Sequence, residues 1–159
     1  MAKSKSTKKE ITEKIDATHL VLSCMDHRCT DDVVHQIHRI IDEEKYPHVN
    51  ERYDHLIVAG GSLGVVQKTF PAWGEAFWQQ LFVARLLHPK IETIILLDHL
   101  ECGAFRNFFP GYDDTVSAHD EVTKLLSDEI LRRLKGVTVE RWVLVPDRTK
   151  HRWEPKRLG

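Results

Sequence analysis

Cysteine is scarce in this sequence and comes in an odd number, Cys24, Cys29 and Cys102 among 159 residues. Three thiols do not make a disulfide framework, so metal binding or thiol chemistry is the better account of them. No apolar run approaches the roughly 20 residues needed to cross a bilayer, and the opening Met1 to Lys9 lacks the apolar segment of a signal peptide. Both absences point to a cytoplasmic protein without a membrane partner. Net charge is equally thin, with 23 basic against 24 acidic side chains and a formal charge of -1. No global field therefore draws the chain to nucleic acid or to anionic lipid. Lys3, Lys5, Lys8 and Lys9 stand among Ser and Thr with no apolar partners, which marks residues 1–12 as a flexible basic tail and leaves 13–159 as one domain.

What the chain does contain is an alternation of short apolar runs with helical patterns. His19 to Cys24 reads as a buried strand, and after Thr30, a reasonable N-cap, Val33, Val34, Ile37, Ile40 and Ile41 recur at helical spacing. A second strand is expected at His55 to Ala59, running into Gly60-Gly61-Ser62-Leu63-Gly64, a tight turn whose backbone can approach a ligand. Pro71 opens a helix through Trp73, Phe77, Trp78, Leu81, Val83 and Leu87, and Thr93 to Asp98 is the clearest buried strand. A helix over 117–135 carries Val122, Leu125, Leu126, Ile130 and Leu134 on one face and stops at Gly136, and 137–145 supplies the last strand. Residues 103–115 show no period. Strands alternating with helices predict an α/β fold, a central and mostly parallel sheet flanked by helices, with its ligand site beyond the carboxyl ends of the strands.

Two of those strand ends carry chemistry. Cys24-Met25-Asp26-His27-Arg28 follows the first, and His99-Leu100-Glu101-Cys102-Gly103 follows the third. Cys24, His99 and Cys102 together supply two thiolates and an imidazole, a set that zinc accepts with a fourth position left for water or substrate. Zinc in such a site brings the pKa of bound water toward about 7. Asp26 and Arg28, two residues apart, can pair, which would hold the carboxylate ionised to orient a water. Swung onto the metal instead, the same carboxylate would close the site. Cys29 reads as packing, His27 as a solvent-facing loop histidine, and Glu101 as either an exposed carboxylate or an outer acceptor.

Cys-x-Asp-x-Arg after one strand and His-x-x-Cys-Gly after another resembles the double signature of the β-class carbonic anhydrases, and Ala59-Gly60-Gly61 resembles the intervening Ala-Gly turn. The similarity covers roughly residues 20 to 105. It implies a zinc enzyme that hydrates carbon dioxide reversibly to bicarbonate, with Cys24, His99 and Cys102 as ligands and Asp26 and Arg28 as the orienting pair. It also implies a homodimer or higher even homo-oligomer, with Gly60 and Gly61 contributing pocket backbone. Two departures stand out: Ile57-Val58 where many members carry a basic residue and Asn, and a short stretch between Cys102 and the last strand. They keep other readings open, namely a zinc hydrolase of another small molecule such as carbon disulfide, a non-catalytic zinc-binding module closed by a fourth ligand, and a thiol enzyme using Cys24 with His99 as base.

Overall fold

A computed structural model of the chain describes residues 16–41, 48–49, 52–109, 111 and 113–159. The basic tail expected at residues 1–12 lies outside them. Five strands, β1 (His19–Ser23), β2 (Tyr53–Ile57), β3 (Thr93–His99), β4 (Thr138–Asp147) and β5 (Arg152–Arg157), form one sheet in the order β2-β1-β3-β4-β5. All pairings are parallel except β4 with β5. The expected mostly parallel α/β sheet is therefore present, and its helices are α1 (Thr30–Ile41), α2 (Ser62–Val66), α3 (Pro71–Leu87), α4 (Gly103–Phe108) and α5 (Val116–Arg133).

β1 and β3 are buried on both faces, which is why they read as continuous apolar runs rather than alternating ones. Successive side chains point to opposite sides. Leu20, Leu22, Ile94 and Leu96 meet Phe77, Leu81, Leu126 and Ile130 on one side, while Val21, Ile95 and Leu97 meet Val33, Ile37 and Leu144 on the other. Pro71 begins α3, where a missing N–H costs nothing. Thr115 caps α5 by accepting the Ala118 N–H at 3.2 Å.

Several boundaries and faces differ from the sequence reading. β2 lies two residues earlier than expected, because its pairing with β1 begins opposite His19 and ends at Ile57, leaving Val58 and Ala59 to the turn. The unpatterned stretch after Cys102 contains α4, too short to show a period. Leu125 was placed on the core face of α5 but is half exposed, and Val83 and Leu87 on α3 are exposed with Phe82 and Leu86. β5 was not anticipated: it closes an antiparallel hairpin with β4, and α1 grips it through Asp32 Oδ2, which accepts the Trp153 N–H, and buried Gln36, whose Nε2 donates to Trp153 O.

Candidate metal centre

Register brings the two motifs together. β1 and β3 are parallel neighbours with Ser23 beside Leu97, so the residues that follow emerge at the same edge of the sheet. Cys24 is the first residue past β1 and His99 the last of β3. Glu101 then takes a left-handed backbone, φ 61°, and turns the chain back so that Cys102 precedes α4. One ligand atom from each of Cys24, His99 and Cys102 lies within 4.8 Å of the others, and all three residues are buried. Among the described residues no fourth His, Cys, Asp or Glu joins this group.

The distances fit a metal and exclude a disulfide. The sulfurs of Cys24 and Cys102 are 3.8 Å apart, nearly twice a disulfide's length of about 2.05 Å. Two bonds of about 2.3 Å to one tetrahedral zinc separate their sulfurs by about 3.8 Å. His99 Nδ1 lies 2.8 Å from Leu100 O. A carbonyl only accepts, so Nδ1 carries the proton and Nε2 presents its lone pair. That Nε2 is buried and has no hydrogen-bond partner, an arrangement that is costly unless something binds it. The buried Cys-His-Cys cluster is thus compatible with a metal site.

The electrostatics agree. The neighbouring Cys102 thiol brings Cys24 down to about 4 against the opposing effect of burial, with His99 and the Gly60 amide helping. Cys102 is pushed far up by Cys24 and by burial, so the pair shares one proton in the absence of a cation. Burial disfavours a charged His99, but the Cys24 sulfur outweighs it and raises the imidazole above its ordinary value. Two sulfurs competing for a proton in an apolar surround of Leu63, Phe105, Phe109 and Val122 make a strong ligand pair for a soft cation.

Asp26 and Arg28 are paired as expected. Arg28 donates to Asp26 from its backbone N–H at 3.0 Å, from Nε at 2.9 Å and from Nη2 at 2.6 Å, the side chain making a two-pronged contact. These bonds hold Asp26 at about 2. Arg28 Nη2 also donates to Glu101 O at 2.7 Å, tying the first motif to the second. The Glu101 carboxylate pairs with Arg148, so its backbone rather than its side chain serves the site. Gly60 donates its N–H to Cys24 Sγ at 3.3 Å, which gives the glycine turn a role at the sulfur. His27 is 92% exposed, and Cys29 is buried and pushed up to about 12 by that burial.

Two contributors escaped the sequence reading. Trp153 of β5 packs edge-on against His99, 5.6 Å between rings, and no pattern near it announces that role. His119 of α5 contacts Asp98, the residue before His99; its place on an apolar helix face was the available signal. Beside the site, Met25, Ile57, Ala59, Trp73 and Phe77 line an apolar groove of about 310 Å³. Met25 and Ala59 are chain neighbours of Cys24 and Gly60.

With this geometry in place, comparison with known proteins is direct. A carbonic anhydrase from Streptococcus mutans superposes over 91% of this chain and 84% of its own length, at 14% identity and a TM-score of 0.54. The chain has a carbonic anhydrase fold. A β-carbonic anhydrase, CcaA, aligns over 89% of the chain at 14% identity with a TM-score of 0.44. Among curated proteins, an uncharacterized protein of Rickettsia bellii is 25% identical over 142 residues, 89% of this chain and 80% of that protein. An uncharacterized protein of Rickettsia conorii is 26% identical over 91 residues, and the match spans 45% of its length. No protein-family model matches. Within the carbonic anhydrase fold, the Cys-His-Cys cluster lies at the carboxyl edge of the parallel strands, where such sheets gather ligands.

Proposed function

We propose that the chain is a zinc enzyme of the carbonic anhydrase type, catalysing reversible hydration of carbon dioxide to bicarbonate and a proton. One observation carries this reading: three buried donors converge while Arg28 holds Asp26 in a two-pronged contact, so the set has no fourth protein ligand among the described residues. Cys24, His99 and Cys102 would hold zinc, which with a position left open supplies Lewis acidity and acidifies bound water. Asp26, kept ionised by Arg28, accepts the proton-side hydrogen bond of the attacking water and orients its lone pair. Arg28 fixes the carboxylate and prevents it from closing the site. The apolar groove at Met25, Ile57 and Trp73 suits a small linear substrate without hydrogen-bond donors.

Stopped-flow carbon dioxide hydration on protein of measured zinc content tests this. Activity proportional to zinc, cut on the order of 10²-fold by Asp26→Asn with zinc retained, supports the reading. Fully zinc-loaded protein inert from pH 6.5 to 9 would sink it. A thiol enzyme is the contrasting reading, with Cys24 as nucleophile and the neighbouring His99 as base. Such an enzyme would keep its activity after chelation and lose it on alkylation without metal loss.

The same reading includes a second copy of the chain. Among the described residues β2 is an edge strand, α3 packs beside it, and Phe82, Val83, Leu86 and Leu87 on α3 are all exposed. Pairing of β2 with its two-fold mate would cover the open edge and this apolar face together. Sedimentation should show a dimer that Leu86→Glu dissociates, whereas a monomeric wild type refutes it.

A further inference from the structure

α5 delivers a residue that neither motif contains. His119 is fully buried, stacks on Phe105 with 4.1 Å between ring centroids, and stands between two carboxylates. Its Nδ1 lies 3.2 Å from Asp98 Oδ2 and its Nε2 3.2 Å from Asp114 Oδ1. Asp114 in turn pairs with Arg106 at 3.2 Å. The two contacts fix the plane of the imidazole between the carboxyl groups, and Arg106 holds the far one in place.

Asp98 uses its second oxygen on the turn over the metal centre. Its Oδ1 accepts the Ser62 N–H at 2.9 Å and occupies the space that a side chain on Gly61 would need. One residue earlier in the same turn, the Gly60 N–H reaches Cys24 Sγ. The chain of contacts therefore runs from Arg106 and Asp114 through His119 and Asp98 to Ser62, and along two peptide bonds to the amide on the sulfur.

We propose that His119 is a positioning residue for the metal centre: by anchoring Asp98 it fixes the Gly60–Ser62 turn and keeps an amide donor on the Cys24 sulfur. This rests on the reading of Cys24, His99 and Cys102 as zinc ligands. An N–H aimed at a bound thiolate draws charge from it and sets its direction, and partners of this outer kind are worth about 10- to 100-fold in metal affinity. A purely structural histidine would affect stability without touching the electronic state of the sulfur.

The experiment loads wild type, His119→Phe and His119→Asn with cobalt and with zinc. Phe keeps a ring against Phe105 and removes both nitrogens, while Asn retains a donor near the Nδ1 position. Expected are a 10- to 100-fold weaker zinc affinity by chelator competition and a displaced thiolate-to-cobalt charge-transfer band in His119→Phe. His119→Asn should recover most of both. Unchanged affinity and spectrum in His119→Phe overturn the positioning role and leave the ligand assignment standing. Wild type that takes up neither metal overturns the ligand assignment itself. If His119→Phe does not fold, amide exchange in zinc-loaded wild type decides. Slow exchange at both Gly60 and Ser62 supports the role, and free-loop exchange at Gly60 overturns it.

Discussion

Gly61→Ala probes the turn on which the centre depends. Gly61 has φ 54° and ψ -125°, a conformation that costs a residue with a Cβ about 1–3 kcal/mol. The added Cβ also meets Asp98 Oδ1 and Cγ, so Asp98 must move and release the buried Ser62 N–H. A hydrogen bond to a charged group is worth about 1.5–3 kcal/mol, which with the conformational cost brings the expected loss to about 2.5–6 kcal/mol. For a chain of this size that corresponds to a fall in Tm on the order of 10 °C. Gly136→Ala is the internal control, since Gly136 also has positive φ, 72°, with nothing within 4 Å of an added Cβ. There the conformational cost stands alone, about 1 kcal/mol. Urea unfolding of both variants with and without zinc measures the two losses. Equal losses, or a Gly61→Ala loss under about 1 kcal/mol, would show that Asp98 does not hold the turn as described.

Chelation should expose Cys24 to a maleimide at pH 8 while Cys29 stays unlabelled until the chain unfolds, because burial, with the negative charge of Asp26 and Cys24 adding to it, pushes its thiol up to about 12; early labelling of Cys29, detected by mass spectrometry, contradicts this. Zinc affinity should rise at least tenfold per pH unit through neutrality, because the thiol proton and, below its raised value, the second proton of His99 must both leave. Cys24 is already a thiolate there, while Cys102 carries the shared proton that zinc displaces, so chelator competition between pH 6 and 8 that finds a flat profile removes the shared-proton account. Asp26 is depressed from its ordinary value near 3.8 to about 2. Its contribution to stability is present in full above about pH 4 and disappears as pH falls through about 2. Urea titrations of wild type and Asp26→Asn in that window should therefore converge toward low pH, and parallel curves would show that the Arg28 contact is not made in solution.

The convergence of Cys24, His99 and Cys102 and the parallel core were legible because each rests on local pattern. Cys24 and the His99–Cys102 pair follow apolar runs too uniform for half-exposed strands, and parallel sheets place such ends at one edge. The Asp26–Arg28 pairing needed no more than two residues of separation. α4 and β5 were not legible: six residues are too few to show a helical period, and Arg152–Arg157 carries Pro155 and four charged side chains. β5 is held by its hairpin with β4 and by Asp32 and Gln36, the last two reaching Trp153 across 121 and 117 residues of sequence.

By itself the sequence determined which residues can bind a soft cation, which carboxylate can serve them, and that they leave buried parallel strands. Only the tertiary structure decided that the sulfurs stand 3.8 Å apart, that Arg28 holds Asp26 in a two-pronged contact, and that His119 and Trp153 flank the cluster. The physical reason is range. Propensity and periodicity act within a few residues, whereas the register of β1 on β3 and the burial of a histidine between two carboxylates arise from elements that meet only when the sheet closes over its core.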